Sequence, residues 1–274
     1  MSEATLPEPR AVAAVLDRYV RPDTFPVGIR VFRKGEPLPP RVRRPKADLG
    51  IPISICQGIS MARRYGWSIA MGAEDLICPI AQVAFGYQPA IQYYTEGNLA
   101  AGMYVETCAQ GRLTEQEVPK FDLDPSRVVV VAPLERCTFQ PETLLVYGNS
   151  AQVMRLVTAA LWKTGGAITS TTSGRADCAD IVIRTAQEGK PQFILPCLGD
   201  RIFGQTQDTE MAFTTPWNRV PELLEGLEGT HRGGVRYPIP HFLRYTPQFP
   251  ETYQKLQALW ETGPEGTDPT TPQD

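Results

Sequence analysis

Histidine is nearly missing from this sequence, with two residues in 274. That scarcity argues against His-rich metal sites and against Ser-His-Asp hydrolysis. Neither sign of charge is in excess: 27 basic and 30 acidic residues leave a net charge of −3. No electrostatic footprint for nucleic acid or an anionic membrane surface arises from that balance. Long apolar runs are also lacking. Val128–Leu134 is among the longest and is far too short to cross a bilayer. Ser2–Arg10 is polar, holds two prolines and has no apolar core of a secretory signal. Together these absences predict a cytoplasmic protein that engages neither membrane nor nucleic acid. There is no Cys-x-x-Cys pair and no repeat of fixed period. Gly165-Gly166 after Lys163 hints at a phosphate loop, but it closes a helical pattern where such a loop opens one.

What the chain does have is proline and cysteine. Its 26 prolines are roughly twice the usual share of about 5%, and they punctuate loops. Hydrophobic content of 42% suits a soluble globular chain with a sizeable core. Pro9–Tyr19 carries Val12, Val15, Leu16 and Tyr19 at helical spacing. Strands are expected at Phe25–Phe32, Trp67–Met71, Ser126–Leu134, Thr143–Gly148, Phe193–Leu195 and Glu210–Thr215, with a strand-like Ala167–Gly174. Helices are expected at Ile59–Arg64, Ile80–Phe85, Ala90–Ala101, from Ala151 to about Lys163 after an Asn149 or Ser150 cap, from near Ile181, and at Val220–Leu227. Lys34–Gly50 reads as an exposed basic loop, Leu113–Lys120 as polar surface, and Thr230–Tyr245 as an aromatic wrap. The order strand–cap–helix predicts an α/β (or α+β) fold, a mixed β-sheet core flanked by helices. Gly263–Asp274 lacks apolar anchors and is expected to be disordered.

The six cysteines are not equivalent. Cys56, Cys78, Cys178 and Cys197 stand in turn contexts, whereas Cys108 and Cys137 have ordinary surroundings. Cys56 and Cys178 lie beside helix starts, where free N–H groups and the helix dipole favour a thiolate. In a reducing compartment such thiols are ligands or reactive groups before they are disulfides. Four thiolates on dispersed loops suit an iron–sulfur cluster better than zinc, whose structural ligands come in close pairs. Buried or incidental cysteines remain the alternative on spacing alone. Cys197 belongs to the densest stretch, Phe193–Gly204, where Asp200 and Arg201 follow the thiol within four residues. Arg175, after Ser173-Gly174, and Arg201 are candidate anion binders; Asp180 and Asp200 are candidate proton acceptors.

A set of longer motifs resembles one family. Cys56-Gln57, Leu76-Ile-Cys-Pro79, Val131-Ala-Pro-Leu134, Tyr147-Gly-Asn149, Gln152-Val-Met-Arg155, Ser173-Gly-Arg175, Leu195-Pro-Cys-Leu-Gly-Asp-Arg201, Gln207-Asp208 and Gly234-Val-Arg-Tyr-Pro238 are similar to DUF169 proteins, also called ArCR. The resemblance runs from about Phe25 to Tyr253. It implies one compact unit, taken as residues 1–262, but no activity, since none is assigned to the family. It also implies that Cys56, Cys78, Cys178 and Cys197 belong to the family pattern and that Cys108 and Cys137 do not. The resulting expectation is an iron–sulfur protein, [4Fe-4S] with zinc or no cofactor as alternatives. Cys56, Cys78, Cys178 and Cys197 are its ligands, and the chemistry is redox or lyase-type on a small anionic molecule. Arg175 and Arg201 hold the substrate, while Asp180, Asp200 and Arg201 serve catalysis. An electron-transfer partner and a homodimer, the latter from the exposed-looking Tyr237–Tyr245, complete it. The rivals are a cofactor-free enzyme with a cysteine nucleophile, Cys56 favoured, and a non-catalytic partner subunit with structural thiols.

Overall fold

A computed structural model describes residues 6–239 and 247–262. The helices are α1 Pro9–Tyr19, α2 Pro45–Asp48, α3 Ile55–Tyr65, α4 Pro79–Ala84, α5 Gln92–Thr95, α6 Cys108–Glu117, α7 Ser150–Ala160, α8 Asp177–Ala179, α9 Thr185–Glu188, α10 Leu198–Phe203, α11 Val220–Arg232 and α12 Glu251–Thr262. The strands are β1 Val27–Phe32, β2 Ile69–Met71, β3 Val128–Pro133, β4 Thr143–Gly148, β5 Gln192–Ile194 and β6 Met211–Pro216. They form one sheet in the order β2-β3-β1-β4-β6-β5. Val27 of β1 pairs with both Pro133 and Leu145, which places β1 at the centre. The helix-flanked α/β architecture is as expected. Pairing between these strands is antiparallel throughout, and parallel contacts are confined to isolated bridges such as Ile53 to Leu76.

Successive strand residues point to opposite faces, and the sheet is buried on both. On one face Val129, Val131, Leu145 and Tyr147 pack with Ile55, Ile59 and Ile181–Ile183. On the other, Leu144, Val146 and Phe213 pack against Val12 and Leu16 of α1, Leu156 of α7 and Leu223 of α11. Local signals set the ends of several elements. Pro9 opens α1, where its missing N–H costs nothing. Ser54 and Gln57 cap α3 reciprocally, and Gly66 at φ 71° ends it. Asn149 and Gln152 do the same at the start of α7.

Some expectations differ from the structure. Ala90–Ala101 is helical only over Gln92–Thr95, because Gly97 (φ 85°) and Gly102 (φ 73°) turn the chain. Ala167–Gly174 joins no strand; it is largely exposed and tied to β5 by Phe193 N donating to Ser170 Oγ at 2.9 Å. Leu113–Lys120 is not wholly surface, since α6 buries Glu115. Arg41–Lys46 is a structured loop: Arg44 pairs with the buried Asp75 at 2.6 Å and Arg43 stacks on Trp67. The proposed dimer stretch Tyr237–Tyr245 is described only as far as Ile239, and Gly263–Asp274 lies outside the described residues.

Candidate functional site

Cys56, Cys78, Cys178 and Cys197 line one cavity of about 210 Å³. Each stands where a helical segment begins. Cys56 is the second residue of α3, Cys178 the second of α8, and Cys78 and Cys197 are the residues preceding α4 and α10. The rest of the wall is mainly apolar, with Ile55, Ile80, Leu99, Tyr104 and Phe203, and Asp177 and Arg175 reach into it. Cys108 and Cys137 lie elsewhere, the first exposed and the second bonded to Phe139 O at 3.2 Å. A hollow of about 520 Å³ bounded by Arg33, Glu142 and Trp217 is larger but contains no thiol.

Burial dominates the thiol chemistry. It pushes Cys56 up to about 12, although the Ser54 hydroxyl, 2.9 Å from its sulfur, works the other way. Cys178 is driven far above the ordinary thiol value by burial first and by Asp177 next. Cys197 rises for the same two reasons, held back in part by the N–H groups of Asp200 and Asp177. The expected helix-start activation of Cys56 is therefore outweighed: desolvation exceeds the dipole. Left to themselves, these three thiols are neutral.

Asp177 was not singled out in the sequence, yet it is the carboxyl in the cavity wall. Its Oδ1 accepts from Cys178 N at 2.8 Å, and Oδ2 is buried without a hydrogen-bond partner of ordinary geometry among the described residues. Burial and the neighbouring Asp200 raise it well above the carboxylate range. Asp200, 1% exposed, accepts from the Tyr147 hydroxyl at 2.8 Å. The Arg63 guanidinium lies 4.1 Å from the Tyr147 ring centre and is itself bonded to Glu210 at 2.6 Å. A polar chain thus leads from Glu210 through Arg63 and Tyr147 to Asp200, the neighbour of the wall carboxyl Asp177.

The other sequence candidates are placed differently. Asp180 does not line the cavity; it pairs with Arg184 at 2.8 Å on a stretch of π-helix, Asp180–Arg184. Arg201 is not part of the wall either, and its guanidinium braces Gln207 O at 3.0 Å beside Asp208. Arg175 is in the wall, but its charge is matched by Glu115 at 3.0 Å and its guanidinium stacks on Tyr104 at 4.3 Å. Glu115 gave no sequence signal beyond its place on a helix opened by the Thr107–Gln110 capping box.

Among the described residues, no three His, Cys, Asp or Glu side chains close around one point as ligands of a single ion do. The thiols are spread around a cavity instead, and its wall offers sulfur, the Asp177 carboxyl and the hydroxyls of Ser54 and Tyr104, with no imidazole or amine. No described helix is long and apolar enough to cross a membrane.

A family model, DUF169, described as "Uncharacterised ArCR", matches residues 15–226, which include all four cavity cysteines. The uncharacterized protein MJ0308 of Methanocaldococcus jannaschii is 25% identical over 181 residues, covering 63% of this chain and 75% of that protein. No solved structure matches the chain.

Proposed function

We propose, from the premise that the chain belongs to the DUF169 family, that it is a cytoplasmic iron–sulfur protein. In this reading Cys56, Cys78, Cys178 and Cys197 hold a cluster of [4Fe-4S] type and serve redox or lyase-type chemistry on a small molecule. The observation that carries it is the gathering of these four thiols, and neither of the other two cysteines, on one apolar-walled cavity. Thiolates crowded there would repel one another and lose their hydration, so they need a cationic or metal–sulfide core. Helix-start N–H groups around the wall lower the cost of negative sulfur. A core several atoms across also suits thiols that do not close on a single ion. When bound, such a cluster supplies electron transfer if four thiolates ligate it, and Lewis acidity at an open iron if three do.

The chain's own residues have separable tasks. Asp177, its carboxyl raised by burial and by Asp200, stands in the cavity wall beside Cys178. Tyr147 fixes Asp200 by donating to Oδ2. Arg175, anchored by Glu115, offers a polar edge in a mainly apolar wall. Leu99, Tyr104 and Phe203 supply apolar surface around the thiols. A redox partner and a homodimer belong to the same proposal; the exposed Tyr253, Leu256, Leu259 and Trp260 of α12 support self-association. The cysteine-nucleophile reading is weaker, because burial opposes the thiolate it requires.

The test is metal and sulfide analysis of anaerobically purified protein, with its visible spectrum. Iron, acid-labile sulfide and broad visible absorbance are expected. Replacing Cys56, Cys178 or Cys197 by Ser lowers all three, and Cys108→Ser or Cys137→Ser leaves them unchanged. Zinc alone, or no metal, overturns the proposal.

A further inference from the structure

The four cavity thiols are not held alike. Cys56, Cys178 and Cys197 are 7%, 7% and 8% exposed, whereas Cys78 is only partly buried. Each of the three buried thiols is enclosed by its own segment. Cys56 sits in the Ser54–Gln57 capping box with its sulfur against the Ser54 hydroxyl. Cys178 lies in the continuously buried run Arg175–Ile183. Cys197 caps α10, its carbonyl oxygen accepting from Arg201 N at 3.1 Å. Cys78 is the least buried of the four, and its sequence neighbours Ile77 (62% exposed) and Pro79 face solvent. The backbone is nevertheless anchored there: Gln82 N donates to Cys78 O at 3.0 Å, and Gln82 Nε2 to Leu76 O at 2.8 Å. Cys78 is thus the thiol nearest solvent, on a fixed chain at one side of the cavity.

From this asymmetry we infer that Cys78 is the exchangeable ligand. Cys56, Cys178 and Cys197 suffice to retain the bound group, and the Cys78 edge is where an incoming small molecule meets it. The class of molecule is one that brings its own oxygen, nitrogen or sulfur donor atom to the position a Cys78 thiolate otherwise fills. This inference rests on the cluster proposal above. It turns that proposal toward an open-site enzyme and away from a closed electron carrier.

Two measurements on the full-length protein test it. The first compares iron and sulfide per chain in the four single Cys→Ser variants, prepared anaerobically and checked for folding by circular dichroism. Cys78→Ser keeps more than about half of the wild-type iron, whereas each of the other three keeps less than about a tenth. The second treats the wild-type protein as purified with iodoacetamide and maps the modified thiols by mass spectrometry. Cys78 reacts at least about tenfold faster than Cys56, Cys178 or Cys197. Equal iron loss in all four variants, or equal alkylation of all four thiols, overturns the inference while leaving the cluster proposal intact. Wild-type protein without iron overturns the cluster proposal itself, and the assignment of Cys78 falls with it.

Discussion

The two faces of the sheet are covered in opposite ways. One carries α1, α7 and α11, regular helices of 11, 11 and 13 residues, over an apolar core. Its buried charge, Arg155, bonds Leu227 O and Thr230 in the last turns of α11, where helix carbonyls suit a cation. The other face has two longer helices, α3 and α6. Beyond them, α4, α8, α9 and α10 are segments of 3 to 6 residues, and a π-helical stretch lies between α8 and α9. There Arg63, Glu115, Arg175, Asp177 and Asp200 are buried beside three of the thiols. Regular helices place apolar stripes cheaply. Short segments expose many N-terminal N–H groups and bring separate parts of the chain to one point, at a cost in buried polar groups. Both faces bury an apolar core, but the second also gathers the thiols and most of the buried carboxyl groups.

Substitutions can break or sharpen that contrast. The largest effect is expected at Glu115, 1% exposed and paired with Arg175. Glu115→Gln leaves a buried guanidinium uncompensated and should cost about 3–5 kcal/mol in denaturant unfolding. A loss below about 1 kcal/mol would mean the pair relaxes into water, and the cysteine face would carry no such cost. Next is Glu210, bonded to the buried Arg63 and to Arg64. Burial raises its carboxyl, but the Arg63 hydrogen bond and charge, with the Gln207 N–H, bring it below the ordinary 4.5. Because the folded-state value is depressed, the stabilisation is complete above the ordinary value and is lost as pH falls through the folded one. Glu210→Gln should therefore cost about 2 kcal/mol near neutrality, and the gap from wild type should close in acid melts. A gap independent of pH would show that Glu210 acts by packing. On the regular face, a methyl at Gly226 would stand 1.9 Å from Ala159 O. Gly226→Ala should lower stability by about 1–3 kcal/mol through separation of α7 and α11, with iron content per folded chain unchanged. Iron loss in that variant would show that the two faces are coupled.

The regular face was the more legible in sequence, for a physical reason. α1 reads from Pro9 and its apolar spacing, and α7 from the Asn149 cap and its stripe, because both patterns are local. The cysteine face depends on contacts between distant segments. The turn contexts of Cys56, Cys78, Cys178 and Cys197 are readable one by one, but the cavity they share spans residues 54–203. Asp177 and Asp180 are three apart on one helical run, and nothing local says which faces the thiols. Glu115 sits in a stretch that is polar to the eye and is buried only because Arg175, sixty positions on, needs it. The burial that raises Cys56 is likewise a property of the fold, whereas the helix start that favours its thiolate is written in Ser54-Ile-Cys-Gln57.

The widened turn Asp180–Arg184 has one more consequence. A π-turn spends an extra residue on nearly the same rise, so the helix before it is rotated by about 100° against the helix after it, relative to an unbroken α-helix. Here the leading end aims Asp177 and Cys178 at the cavity, while the trailing end aims Thr185 at Thr214 of β6, 2.7 Å between hydroxyls. The bulge works as a fixed angular offset between the part of this segment that serves the sheet and the part that serves the thiols. Shortening it by one residue would set the two in conflict, so that the chain could keep its grip on β6 or its carboxyl and sulfur in the cavity wall, but not both.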